Sequence, residues 1–300
     1  MHIAVTGSSG FIGTPLCDAL HRDGHRVVRV VRSGAGSGTI TWDPAAGTID
    51  AAAFEGIDAV VHLAGEGIAS GPWTSAQRAR ITESRSKGTA LLARTLAGLD
   101  QKPSVLVSGS AIGYYGDRGD ELLTETSGAG TGFLADACIA WEAATAPAVE
   151  AGIRTPLVRT GIVLDPSGGS LGKQLLAFKL GLGAKAGRGT QWISWITLAD
   201  EVAALRHVLA DEAVTGPVNL VAPNPVTNAE FTDAVGQALH RPTFLTIPKV
   251  TRRLPFGIGD LVDSLLFTSA RIQPGMLEQT GFTFSQPNLE GALVDLLEHS

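Results

Sequence analysis

Val5-Thr6-Gly7-Ser8-Ser9-Gly10-Phe11-Ile12-Gly13 decides the reading of this chain, because it follows an apolar segment beginning at residue two and opens an amphipathic one. His2 to Thr6 read as a buried strand, Phe11 to Asp23 as a helix and Arg26 to Val31 as a second strand. Glycines between a strand and a helix predict a dinucleotide phosphate site. Gly7 permits a tight turn with positive φ, Gly10 lets backbone approach a pyrophosphate, and Gly13 lets the helix pack close to the strand. Backbone amides at the helix N-terminus, from Ser9 through Ile12, then face the anion.

Composition agrees with a small-molecule role. The 300 residues are 44% hydrophobic and 17% charged, enough to bury a large core. A net charge of -6 gives no electrostatic reason to expect nucleic acid or an anionic membrane as partner. No run approaches the roughly eighteen apolar residues a membrane span needs, and the first core strand starts too early for a signal peptide, so a cytoplasmic location is expected. Cys17 and Cys138 are the only cysteines, and with no CxxC pair they suggest neither a disulfide framework nor a zinc site.

Apolar runs alternate with amphipathic stretches along the chain: Ala59 to Leu63, a helix near Ala76 to Ala97, Ser104 to Ser108, and a helix near Leu134 to Val149. Thr155 to Val163 and Val218 to Val221 supply further strands. Such βαβ alternation predicts an α/β protein, a doubly wound parallel sheet of Rossmann type with a smaller substrate lobe. The glycine-rich stretches Gly34 to Gly38 and Gly128 to Gly132 read as loops. Residues 1–165 form the expected dinucleotide domain, to which the strand near 218–221 returns. Residues 166–246 supply substrate-lobe elements.

The GxxGxxG spacing after a threonine resembles the short-chain dehydrogenase/reductase superfamily. Later segments resemble its extended, epimerase/dehydratase branch: Asp58-Ala59-Val60-Val61-His62-Leu63-Ala64-Gly65, Ser108-Gly109-Ser110-Ala111-Ile112-Gly113-Tyr114-Tyr115-Gly116, and Arg159-Thr160-Gly161-Ile162-Val163-Leu164. Ala64-Gly65-Glu66-Gly67-Ile68, Glu83-Ser84-Arg85, Trp141-Glu142, Gln191-Trp192-Ile193-Ser194-Trp195-Ile196 and a tail from Ile272-Gln273-Pro274 to Gly281-Phe282 are similar to an atypical epimerase-family subgroup with its own C-terminal module. That module would occupy 247–300. The resemblance implies that Leu63 and Ala64 border the adenine and ribose, that Ser110 is the catalytic serine, and that Thr160 lies on the nicotinamide side.

Cofactor choice rests on Arg32. NAD-binding proteins place a carboxylate for the ribose hydroxyls after the second strand, whereas Arg32 offers a cation suited to a 2′-phosphate, so NADP is expected. The catalytic end departs from the branch. Its Tyr-x-x-x-Lys pair falls here on Cys138 and Glu142, so the phenol whose pKa a lysine depresses is missing. Glu142 reads either as an acceptor for ribose hydroxyls or as a solvated helix residue. Arg85 reads as a fork for cofactor phosphate or an acidic substrate, or as half of a surface ion pair with Glu83 or Glu142.

A carboxylate one turn from Cys138 disfavours thiolate, which makes a buried core residue the expected role of that cysteine. His62 should be packed or hydrogen-bonded, Asp200 should cap a helix, and Tyr114 and Tyr115 are expected to cover the nicotinamide pocket. Trp73 and the Gln191 to Ile196 loop should lie over the carboxyl edge, stacking on a polar ring or packing a lobe interface. The expectation is thus an NADP-dependent epimerase or oxidoreductase acting on a small polar molecule, with a nucleotide sugar as one candidate and oligomerisation open. The alternative is a non-catalytic NADP(H) sensor.

Overall fold

A computed structural model of the chain describes residues 1–33, 36 and 38–298, so most of the expected Gly34 to Gly38 loop lies outside the described residues. Eight strands make the central sheet: β1 (His2–Thr6), β2 (Arg26–Val31), β3 (Thr39–Asp43), β4 (Thr48–Ile49), β5 (Ala59–His62), β6 (Val105–Ala111), β7 (Leu157–Thr160) and β8 (Pro217–Leu220). They lie in the order β8-β7-β6-β5-β1-β2-β3-β4, all neighbours parallel except β3 and β4. The order reverses between β1 and β5. A crevice at the carboxyl ends of the strands is expected at that switch point.

Side-chain alternation assigns each strand residue to one face. Ile3, Val5, Val61, Val107 and Val158 point to the layer containing α1 (Gly13–Arg22) and the helix Leu198–Ala210. Ala4, Val60 and Leu106 point to the opposite layer, built on α2 (Ser75–Ala97) and α3 (Phe133–Ala143). A second core joins the helices Gly169–Lys179, Asn228–Ala238 and Leu289–Glu298 through Leu175, Phe231 and Leu293. The first two of these helices lie within 166–246 and the third within 247–300.

Several boundaries shift for identifiable reasons. The helix predicted over 134–149 is two helices, α3 and Ala146–Glu150, because Pro147 sits in the first turn of the second one, where its missing N–H does no harm. The strand predicted over 155–163 breaks at Gly161, whose amide donates to Leu220 O; Ile162–Asp165 then leaves the sheet to pair with Trp195–Thr197. The first helix begins at Gly13 and not at Phe11. Thr197, not Asp200, caps Leu198–Ala210, its side chain accepting from Asp200 N. Asp200 is buried and accepts from the Ser285 and Gln286 amides, tying the C-terminal tail to the sheet domain.

That tail is anchored at further points. Arg271–Ile272 pairs with Leu122–Leu123, and Glu125 accepts from both the Asn219 and Met276 amides. The predicted aromatic loop is part of this interface. Trp195 is fully buried with its indole N–H on Asn224 O, and Trp192 donates to Asp120 under the Arg271 guanidinium. Trp73 is likewise buried, stacked edge-on against Phe133. Among the described residues no helix is long and apolar enough to cross a membrane, and no group of three acidic, histidine or cysteine side chains could hold a metal ion.

Candidate cofactor and substrate site

At the glycine loop the backbone explains each small residue. Gly7 has φ of +66°, and a Cβ there would stand 2.8 Å from Leu63 C. A Cβ on Gly13 would lie 2.1 Å from Gly7 O, so helix and loop can touch only through glycine. Gly10 closes the turn by donating to Gly7 O at 2.9 Å and is exposed on its other side. The Phe11 and Ile12 amides meet no acceptor among the described residues, α1 has no side-chain cap, and its first turn holds no acidic residue. A helix start left this way is a seat for an anion.

The neighbouring groups line the same edge. Ser9 is exposed beside the loop, and the Phe11 ring lies against Gly168 and Gly169, where a Cβ would come within 2.9 Å of it. Thr6 Oγ1 accepts from the Leu63 and Ala64 amides, fixing the turn after β5. Thr6 also meets His62 Nδ1 at 2.7 Å, while His62 Nε2 meets Thr89 Oγ1 at 2.9 Å. His62 is therefore the packed, hydrogen-bonded residue expected, and burial pushes its pKa down to about 4. Arg32 follows β2, exposed and with no ion-pair partner among the described residues.

At the catalytic end, Ser110, Arg159 and Asn219 are successive partners across β6, β7 and β8, so all three face α3. Arg159 donates from Nε to Glu142 Oε1 at 2.8 Å and from Nη2 to Oε2 at 2.9 Å. Its Nη1 donates to the Tyr115 hydroxyl at 3.0 Å, and its guanidinium carbon stands 3.5 Å from the Tyr114 ring centroid. Tyr115 donates to Asn219 Oδ1 at 2.7 Å. Ser110 Oγ donates to Glu142 Oε1 at 2.7 Å.

Glu142 is thus held inside the protein, its carboxylate accepting two bonds from Arg159 and one from Ser110. Where the resemblance implies a lysine stands a carboxylate, and Arg159 on β7 neutralises it. Burial alone would lower the Arg159 pKa, but its bonds to Glu142 and Tyr115 raise it. Tyr115 is fully buried, not a cover for the pocket, and burial raises its pKa too. Sequence reasoning missed Arg159. Its signal was a lone arginine inside an otherwise apolar strand, which a parallel sheet tolerates only with a partner.

Cys138 occupies the expected tyrosine position and is buried, with its pKa pushed up to about 11 by desolvation; Arg85 pulls against this and Glu142 adds to it. Both cysteines are free thiols. Arg85 makes neither of the expected ion pairs: Glu83 pairs with Lys87, and Glu142 with Arg159. Instead its Nη1 donates to Glu66 O at 2.9 Å and Ile81 O at 3.1 Å, and its guanidinium lies 5.0 Å from the Trp141 ring centroid. On the opposite sheet face, Thr160 donates to Glu201 at 2.8 Å. Glu201 is fully buried, its other oxygen has no partner among the described residues, and desolvation pushes its pKa up to about 8.

A sequence model described as the NAD dependent epimerase/dehydratase family matches residues 3–221. The chain belongs to that family. A second model, a domain of unknown function (DUF1731), matches 251–296, within the expected C-terminal module. The epimerase family protein Mb2239 of Mycobacterium bovis is 44% identical over 97% of this chain and 96% of its own length. Human epimerase family protein SDR39U1 is 35% identical over 99% of this chain and all of its own. A crystal structure of human SDR39U1 isoform 2 with NADPH covers all of both chains, with TM-score 0.90 and 34% identity. A nucleoside-diphosphate sugar epimerase from Corynebacterium glutamicum aligns at TM-score 0.83 and 36% identity, covering all of this chain and 58% of its own. These likenesses bear out the Rossmann-type fold and the epimerase-family subgroup.

Proposed function

We propose that this protein binds NADP(H) and presents the nicotinamide to a small polar substrate, as an epimerase or oxidoreductase. The observation that carries the reading is the glycine cradle at α1: two amides without acceptors, no room for a Cβ at Gly13, and an exposed, unpaired cation one strand away. The NADPH in the human relative's crystal structure supports the choice of nucleotide. In this reading Gly7, Ser9, Gly10, Phe11, Ile12 and Gly13 hold the pyrophosphate, Arg32 takes the 2′-phosphate, Leu63 and Ala64 border the adenine ribose, and Thr160 stands on the nicotinamide side. The bound nicotinamide supplies the hydride chemistry.

This chain's own residues supply orientation. Ser110 spends its one proton on Glu142, so towards a ligand its oxygen can only accept, which suits a substrate hydroxyl. Glu142, held in a fork by Arg159, fixes that serine instead of binding ribose directly. With Cys138 at about 11, the thiol is a poor proton carrier at neutral pH, and a water or a substrate group moves the proton. The same observation favours a second reading, an NADP(H) sensor that performs no reaction.

Mass spectrometry of the nucleotide released from freshly purified protein tests the first part. NADP(H) is expected, and NAD(H) in its place overturns it. Oxidation of the bound NADPH by any metabolite, followed by its fluorescence, separates the enzyme from the sensor.

A further inference from the structure

Arg159 and Glu201 are buried and Arg85 is half-buried, and among the described residues only Arg85 of the three has neither an ion pair nor a proton to hold. Arg159 has Glu142. Glu201 is a carboxyl that can hold its proton. Arg85 has neither remedy, because a guanidinium keeps its charge at any physiological pH. Burial lowers the Arg85 pKa all the same, which shows an unfavourable setting for that charge.

The side chain is nonetheless fixed. Two backbone carbonyls, one from the turn after β5 and one from α2 itself, hold Nη1, and the Trp141 ring supports the guanidinium plane. Gly65 is what leaves space for it, since a Cβ there would stand 3.3 Å from the guanidinium carbon. Nε and Nη2 meet no acceptor among the described residues. Glu66 is close enough to favour the charge but lies outside ion-pair distance and receives a bond from Gln77. The indole N–H of Trp141 is also buried without an acceptor, so the whole stack is short of one.

Placement separates this cation from the phosphate seat. Trp141 covers β6 at Gly109, where a Cβ would come within 2.9 Å of its ring, so Arg85 stands over β5 and β6 while the glycine loop follows β1. Cys138, Trp141 and Glu142 share one face of α3: Trp141 carries Arg85 and Glu142 carries Ser110. Arg85 and Ser110 therefore flank the same short piece of helix.

We propose that Arg85 is the anion clamp for the second ligand: Nε and Nη2 take a carboxylate of the substrate in a fork, while Ser110 addresses a hydroxyl of the same molecule. This rests on the NADP(H) reading above and gives its substrate a class, a small hydroxy acid or its oxo counterpart. The same donors also suit a phosphate oxygen of the cofactor, and the test distinguishes the two sources.

Oxalate, with neutral oxamide as its control, is titrated calorimetrically into NADPH-loaded protein. Oxalate is expected to saturate and oxamide to give no binding heat. In Arg85→Met, oxalate affinity should fall by about tenfold or more while NADPH affinity stays within about twofold. A parent that does not bind oxalate, or a variant that binds it equally, overturns the clamp. So does a variant that loses NADPH affinity and keeps oxalate, which assigns Arg85 to the cofactor. If the parent fails to bind NADPH, the cofactor reading falls, and the oxalate comparison on nucleotide-free protein still decides the clamp. Should Arg85→Met not fold, Arg85→Lys keeps the charge and loses the fork, and unchanged oxalate affinity in that variant overturns the proposal.

Discussion

Arg159 and Arg85 approach α3 from opposite sides and meet different surroundings. Arg159 sits inside a strand, each of its three nitrogens donating once, two to a carboxylate and one to a phenol, with the Tyr114 ring packed against it. Arg85 rises from a helix onto an indole and uses one nitrogen on backbone carbonyls. A guanidinium with every nitrogen bonded within the protein is structure, whereas one with two nitrogens left open is available to something else.

The sharpest way to break that contrast is to remove Glu142. Glu142→Ala strands a buried cation and should cost about 3–5 kcal/mol in chemical denaturation, whereas Arg85→Met should cost no more than about 1–2 kcal/mol for its stack and backbone bonds. Removing both partners, as Glu142→Leu with Arg159→Met, should restore most of the loss. Equal costs for the two single variants would mean that Arg159 is no more structural than Arg85.

Glu201 sharpens the contrast from the carboxyl side, because it answers burial by keeping a proton. Its folded pKa, about 8, lies above the ordinary carboxyl value of 4.5, so its contribution is fully present below about 4.5 and is lost as pH rises through about 8. Glu201→Gln, which stays neutral in both states, should therefore flatten the decline between about pH 4.5 and 8, followed as melting temperature against pH. His62 carries the opposite sign. With its folded pKa at about 4, below the ordinary imidazole value of 6.5, its contribution is present above about 6.5 and lost as pH falls through about 4. A His62→Gln variant with an unchanged acid limb would remove this group from the explanation.

Cys138 should give the smallest effect although it lies between the two arginines. Cys138→Ser should keep NADPH affinity and any turnover within about threefold of the parent, for a buried thiol near pKa 11 carries little thiolate at neutral pH. A loss of about a hundredfold in turnover with the fold intact is what deleting a general acid or base does, and would assign the missing tyrosine's work to the thiol.

Legibility in the sequence followed how local each signal was. Gly7, Gly10 and Gly13 announce a tight turn after a strand, and strand and helix periods surround it, so the doubly wound parallel sheet followed from short stretches of chain. The break at Gly161 and the start at Ala146 were blurred because apolar runs continue through both. The Glu142–Arg159 pair was hidden for a different reason. Its members are 17 residues apart and meet only after α3 folds over β7, so neither spacing nor composition linked them. Asp200 misled because an acid in a first turn usually serves its own helix, and here the C-terminal tail arrives to use it.

Calorimetric titration of the parent protein with NADPH and then with NADH tests the cofactor cleft most directly, with Arg32→Asp and Gly10→Val as companions. NADPH should bind the parent about tenfold or more tighter than NADH, Arg32→Asp should remove that preference, a change of about 1.4 kcal/mol or more, and folded Gly10→Val should bind neither nucleotide. NADH binding the parent as tightly as NADPH, or normal binding by folded Gly10→Val, would contradict the placement of the phosphates at Arg32 and the glycine loop.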